Sequence, residues 1–458
     1  MIIAHLADLH LGYRAYARLA PGGINARERD VALAFRAALD RIIELRADLV
    51  LVAGDVFHTV RPSNTAITDA FRQFARLRAA LPETPVVMIA GNHDTPRAAE
   101  TGGILRLFAE IPGIVVVDDA ARSVFLEQLG VSVLCVPHAA LASGEPLALE
   151  PDPAADVNVL MLHGDVVGDG AETKLRYVSE YGGAAIETAA IRPPRWDYVA
   201  LGHYHIATEL APNMWYAGGI ERTSTNVWEE AHSDKGFLTF DTETRRVTFH
   251  PVPTRPVVDL PRFSARADAV PRPSRPGRPG AGGPTAPAPH PGESQPAAQP
   301  QRPDEGADGE AADGEEAPGG DGVRGRWLTA AEIDAHIRRL VESVPGGIEG
   351  KIVRLVIEDI PRELFRQLDH RQLRAYRAAA LHFHLDARPP EVRRVIGYGA
   401  PFRRRTLDEE VETFLKLRWQ PSSREIDRER LIELARMYLA AAGEEEPRDA
   451  LVEARAEG

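Results

Sequence analysis

Leu49-Val-Leu-Val-Ala-Gly-Asp55 is the stretch on which the fold turns. Five apolar residues run without alternation, the pattern of a strand buried on both faces between layers of an α/β protein. A glycine then lets the chain turn sharply, and a carboxylate follows just past the strand's carboxyl end, where α/β sheets gather their ligands. The same pattern recurs outward from it. Strands are predicted over residues 2–7, 49–53, 86–90, 131–136, 157–162 and 198–201. Between the first two, residues 29–46 place Val31, Phe35, Leu39, Ile42 and Ile43 on one helical stripe. Residues 236–240 and 246–251, around Asp241-Thr-Glu-Thr-Arg245, read as a hairpin closing a second sheet. Strands alternating with helical periodicity give an α/β layered fold.

From Pro271 to Gly322 there is no Val, Ile, Leu, Met, Phe, Tyr or Trp, and close to half the residues are Pro or Gly. Such a segment builds no core, so residues 262–326 read as a disordered linker, basic at first and acidic from Asp304 to Asp321. It separates an expected first domain, residues 1–261, from a smaller α/β domain over residues 327–405. In the latter, Thr329-Ala-Ala-Glu332 is a capping-box start for a helix over 329–344. A strand over 351–358, a helical stretch over 361–380 and a half-exposed strand over 381–385 follow. Residues 406–458 are expected to be a helical tail. Leu407, Val411, Phe414 and Leu415 share one face, and Leu431, Leu434, Ala435, Tyr438 and Leu439 another, on either side of Pro421.

The formal charge of −13 argues at first sight against a polyanionic partner. Its distribution matters more: Arg371 to Arg405 holds nine arginines against two acids, whereas the first 260 residues are net acidic by ten. The cluster reads either as a solvated face or as a DNA contact. The sole cysteine, Cys135, sits in an apolar run, which excludes a disulfide framework or a thiolate metal site. Met1-Ile-Ile-Ala-His-Leu-Ala-Asp8 has neither the basic start nor the long apolar stretch of a signal peptide, and no apolar run is long enough for a bilayer. A cytoplasmic location and no membrane partner are expected.

Five clusters stand at carboxyl ends of predicted strands: Asp8-Leu-His10, Gly54-Asp55, Gly91-Asn-His-Asp94, His163-Gly164 and Gly202-His-Tyr-His205. Each supplies oxygen or imidazole donors, the set suited to Mn, Fe or Zn at a hydrolytic centre. A carboxylate such as Asp55 can bridge two cations about 3.5–4 Å apart, where both polarise a phosphoryl group and activate a water. Singly, each cluster is commonplace in loops. All five in order, each after a strand, are not.

Taken together these clusters resemble the calcineurin-like metallophosphoesterase superfamily. Gly54-Asp-Val-Phe-His-Thr-Val-Arg-Pro-Ser63, Gly91-Asn-His-Asp94, Gly202-His-Tyr-His205 and Tyr216-Ala-Gly-Gly-Ile-Glu-Arg222 are similar to its double-strand-break-repair branch, the SbcD-like nuclease subunits. The superfamily's phosphatases usually carry Arg-Gly soon after the second motif and Gly-Asn-His-Glu at the third, and neither stands at those places here. The resemblance implies a four-layer metallophosphoesterase sandwich with a smaller α/β capping domain. It further implies that Asp8, His10, Asp55 and His205 hold one metal and Asp55, Asn92, His163 and His203 another. His93 is then left beside the scissile phosphate as a proton donor, with Asp94 orienting its imidazole and His58 near the phosphate.

The function expected is therefore a DNA endo/exonuclease of repair using two divalent ions, manganese by expectation. Arg393, Arg394, Arg403, Arg404 and Arg405 of the cap would contact DNA. The resemblance implies a homodimer and an SbcC-like coiled-coil ATPase partner, docked on the tail. Two alternatives stand beside it: a phosphatase or phosphodiesterase for a small substrate, which has no need of an arginine-rich cap, and a catalytically idle scaffold for the ATPase, which has no need of a full ligand set.

Overall fold

Leu49–Ala53 is buried on both faces. Leu49 and Leu51 pack between two sheets, while Val50 and Val52 pack against helices. The computed structural model describes residues 1–96, 102–168, 183–267 and 326–390, with Arg430, Glu433, Leu434 and Met437. The first six-stranded sheet runs Arg246–Pro251, Gly236–Asp241, Ile2–Leu6, Leu49–Ala53, Val86–Ile89, Ile114–Val117, the last four parallel. The second runs Thr208–Ala211, Met214–Tyr216, Tyr198–Gly202, Val157–His163, Val131–Val136, Arg122–Leu126, with its middle four parallel.

Between the sheets lie Ile3, Leu51, Val87 and Ile89 from one side and Val133, Val159, Met161 and Tyr198 from the other. Cys135 is among them, a free buried thiol. Outside the first sheet, Phe35, Leu39, Phe74 and Leu77 of helices Ala26–Leu45 and Asn64–Ala80 cover Leu6, Val52 and Met88. Outside the second, Ala140, Ile191 and Trp196 cover Leu160, Leu162 and Leu201. The result is the expected four layers. Burying each such Leu, Ile or Phe contributes about 1.5–3 kcal/mol, so these continuous apolar runs specify the sandwich. The helix read as starting at 29 begins at Ala26, because the Asn25 side chain accepts the backbone N–H of Arg27 and Glu28, a cap contributing about 1 kcal/mol.

The hairpin does not close the second sheet. Gly236–Asp241 pairs antiparallel with Ile2–Leu6 and extends the first, sending Leu238 and Phe240 into the inter-sheet core. Its alternation shows that one face is buried but says nothing about which long-range partner it takes.

In the smaller domain, Ile352–Glu358 is the central strand. His382–Ala387 pairs with it in parallel, and so do Val257–Asp259 and Phe263–Ser264. The expected boundary at residue 261 thus falls inside this sheet, which draws strands from both sides of the insertion. The capping box on Thr329 forms as read, starting helix Ala330–Glu342. The helical stretch over 361–380 divides into Arg362–Arg366 and His370–Ala379, because the Asp369 side chain caps the second. Ile333, Ile337, Leu355, Ile357, Leu373 and Phe383 form the core.

The described residues up to 390 belong to one compact unit. Tyr16 stacks on His382 at 4.1 Å, and the Arg18 guanidinium donates to the carbonyls of Arg377, Ala378 and Ala380, capping the end of His370–Ala379. Arg255 joins Asp30 to the Gly350 carbonyl. Most of the insertion, the five arginines from 393 to 405 and the tail, four helical residues apart, lie outside the described residues.

Candidate metal centre

The five strands Ile2–Leu6, Leu49–Ala53, Val86–Ile89, Val157–His163 and Tyr198–Gly202 deliver their following residues to one place. Leaving a strand abruptly costs backbone strain, and the site shows it: Asp8 (φ 51°), His10 (φ 45°), Asp55 (φ 51°) and His203 (φ 110°) are four of nine non-glycine residues with positive φ among those described. Such conformations cost on the order of 1–3 kcal/mol each and persist where the surroundings impose them. Here the backbone bonds Asp8 N to Gly54 O (3.1 Å) and His10 N to Asp55 O (2.9 Å) tie the loops together, and His203 N donates to Asp8 Oδ1 (3.0 Å). Gly54, at φ 89°, passes so close to the His163 ring that a Cβ would collide with it.

Three groups of donors form among the described residues, one of them His10, His58 and His93 at the rim, which shares His10 with the first of the two buried groups. Asp8, His10 and His205 bring one donor atom each to within 4.8 Å of one another, and Asp55, His163 and His203 do the same. Asp55 lies between them, its Oδ2 3.9 Å from His10 Nε2 and 3.3 Å from His163 Nε2. In the first group, His10 Nε2 and His205 Nε2 are 3.0 Å apart. In the second, Asn92 Oδ1 is 3.0 Å from His163 Nε2 and 3.1 Å from His203 Nδ1. Ligand bonds of about 2.0–2.2 Å at near right angles put neighbouring donors about 3 Å apart, so this donor set fits divalent ions. All seven residues named as ligands from the sequence converge here.

Electrostatics point the same way. Burial pushes Asp8 up to about 7. Burial would also raise Asp55, but His163, with His10 and His93, outweighs it and holds that carboxyl well below the usual range. Burial lowers His163, yet Asp55 and Asp8 prevail and lift it to about 9. Burial, then the neighbouring His163, brings His203 down to about 3. Carboxylates and imidazoles packed this tightly away from water are the arrangement that a bound cation relieves.

His93 stands at the rim, half-buried. Its backbone N–H donates to Asp55 Oδ1 (2.9 Å), and its ring Nδ1 donates to the His58 carbonyl (2.8 Å). His58 stacks on it at 5.2 Å, with its own Nδ1 3.3 Å from His10 Nδ1. Asp94, which the resemblance makes the residue that orients the His93 imidazole, also braces the backbone. Its carboxylate accepts the backbone N–H of Val56 (3.0 Å), Phe57 (2.9 Å) and Gly91 (3.1 Å), pinning the loop that carries Asp55.

Three site residues escaped the sequence reading. Asp165 Oδ1 is 3.4 Å from His203 Nε2, and Glu230 Oε1 is 3.7 Å from His205 Nδ1. Glu230 also pairs with Lys235, and both are fully buried. Asp165, two residues past His163, had a local signal. Glu230, in Trp228-Glu-Glu-Ala231, had none, because its carboxylate meets His205 only through the fold.

Comparison with known proteins agrees with this geometry. Residues 1–207 match the family described as calcineurin-like phosphoesterase. The chain is similar to the DNA double-strand break repair protein Mre11 of Methanococcus maripaludis, at 35% identity over 113 residues, 25% of this chain and 28% of the relative. It is similar to the protein of the same name from Sulfolobus acidocaldarius, at 29% over 208 residues (45% and 50%), and from Thermoplasma acidophilum, at 27% over 239 residues (48% and 57%). It spans between about a quarter and just over half of these relatives' length.

Proposed function

We propose that this chain, whose residues 1–207 match the calcineurin-like phosphoesterase family, is a nuclease of DNA double-strand-break repair that hydrolyses phosphodiester bonds with two divalent ions, manganese by this reading. The observation that carries the reading is the pair of buried donor groups, one containing Asp55 and the other reaching it through His10. Asp8, His10 and His205 would hold one ion, His163, His203 and Asn92 the other, with Asp55 between. Bound divalent ions supply positive charge that polarises a phosphoryl group and lowers the pKa of water.

The chain's own residues do the rest. Asp94 fixes the loop behind Asp55, so the shared carboxylate needs no rearrangement when a substrate arrives. His93, its Nδ1–H fixed on the His58 carbonyl, would deliver a proton to the leaving oxygen when its ring is protonated. His58, stacked beside it, lines the place where the phosphate sits. Arg393, Arg394, Arg403, Arg404 and Arg405 supply the electrostatic grip on the DNA backbone. The names of the similar proteins support the choice of DNA over a small substrate, and the SbcD-like motifs support a second copy and an SbcC-like coiled-coil ATPase as partners, docked on the tail. Among the described residues no helix is long and apolar enough to cross a membrane. A cytoplasmic location belongs to the same reading.

End-labelled duplex and hairpin DNA incubated with the full chain and Mn2+, with and without chelator, test this. Cleavage that the chelator abolishes is expected. A chain that hydrolyses a small phosphomonoester in Mn2+ but leaves both DNAs intact overturns it.

A further inference from the structure

His203 turns its two ring nitrogens toward different surroundings. Nδ1 lies 3.1 Å from Asn92 Oδ1, within the donor group. Nε2, on a fully buried side chain, makes no hydrogen bond among the described residues, and Asp165 Oδ1 lies 3.4 Å from it. His163 is arranged the opposite way, with Nδ1 donating to the Ala53 carbonyl (2.8 Å) and Nε2 facing the donors. A neutral imidazole carries one proton. The nitrogen that faces an outside acceptor keeps it, and the other presents its lone pair.

The placement of Asp165 is built by the residues around it. Its N–H donates to the Ala184 carbonyl (2.9 Å). On either side, the buried Tyr216 hydroxyl accepts from Val166 N (2.9 Å) and donates to the Gly164 carbonyl (2.8 Å), so one side chain braces both neighbours. Gly183 approaches so closely that a Cβ would strike both the Asp165 carboxylate and His203 Nε2, so even alanine would separate the pair. The Asp165 side chain keeps 25% of its exposure, which leaves its charge partly solvated.

We propose that Asp165 is a positioning residue that holds the Nε2 proton of His203 and thereby assigns Nδ1 as the metal-binding nitrogen; this rests on the reading of His203 as a ligand. Carboxylates in this relation to a ligand imidazole fix its tautomer and raise its basicity, and their loss costs typically about 10–100-fold in metal affinity. Asparagine still offers an acceptor oxygen but no charge, whereas alanine offers neither.

Calorimetric titration of the full-length chain with Mn2+ tests the assignment on wild type, Asp165→Asn and Asp165→Ala, each checked for an unchanged unfolding temperature without metal. Wild type is expected to take up two ions. Asp165→Ala should weaken one of them by about 10–100-fold, with the other unchanged and Asp165→Asn in between. Wild-type affinities for both ions in Asp165→Ala overturn the proposal, as does equal weakening of both ions. If Asp165→Ala fails to fold, Asp165→Asn decides: wild-type affinity at both ions refutes it. A wild-type chain that binds no Mn2+ removes the ligand reading and this proposal together.

Discussion

Replacing Asp94 separates two roles that one motif position could hold. The carboxylate is 1% exposed and accepts three backbone N–H groups, from Val56, Phe57 and Gly91, at 2.9–3.1 Å. In Asp94→Ala all three donors lose their acceptor. Each buried donor left unsatisfied costs about 1–3 kcal/mol, so the simple sum is about 3–9 kcal/mol. Water entering the vacated space recovers part of it, and a loss of about 4 kcal/mol is expected, near the upper end for single substitutions. Guanidinium denaturation of the metal-free chain measures this, and hydrogen exchange over residues 54–58 and 90–92 shows where the loss arises. Fast exchange at Val56 and Phe57 with a large shift in midpoint is the predicted result. If Asp94→Ala unfolds within about 0.5 kcal/mol of wild type, yet loses DNA cleavage, the loop-pinning argument is wrong and the carboxylate works on the His93 imidazole.

Three other outcomes follow from the same structure. His93→Ala should keep both metals by elemental analysis while losing about 10²–10⁴-fold in DNA cleavage, and loss of a metal would make His93 a ligand. Arg18→Ala removes the cap from helix His370–Ala379, and because the site is largely exposed about 1 kcal/mol is at stake, visible as roughly fivefold faster amide exchange in that helix and nowhere in the sandwich. Neutralising Arg393, Arg394, Arg403, Arg404 and Arg405 together should weaken DNA binding and flatten its dependence on salt, with hydrolysis of a small chromogenic phosphodiester unchanged; an unaltered slope returns the cluster to a solvated face.

The sandwich and the convergence of the polar donors were legible because each depends on a local rule. A continuous apolar run such as Leu49–Ala53 tolerates only a position between layers, and a polar donor directly after it falls at the strand's carboxyl end. What escaped depends on partners distant in sequence. Gly236–Asp241 has one buried face under either pairing, and only its register with Ile2–Leu6 assigns it to the first sheet. Val257–Asp259 is too short to announce a strand, and its order comes from its partners across the insertion, Ile352, Val353 and Arg354. Glu230 lies 25 residues beyond His205, where nothing local marks it as a neighbour.

The central claim is that Asp55 is shared between two ions that make the site hydrolytic. Elemental analysis of purified wild-type and Asp55→Asn chains after equilibration with Mn2+, alongside cleavage of labelled duplex DNA by the same samples, tests it most directly. Two ions per chain with cleavage in wild type, and reduced occupancy with cleavage abolished in Asp55→Asn, are predicted. An Asp55→Asn chain that retains two ions and cuts DNA at the normal rate contradicts it.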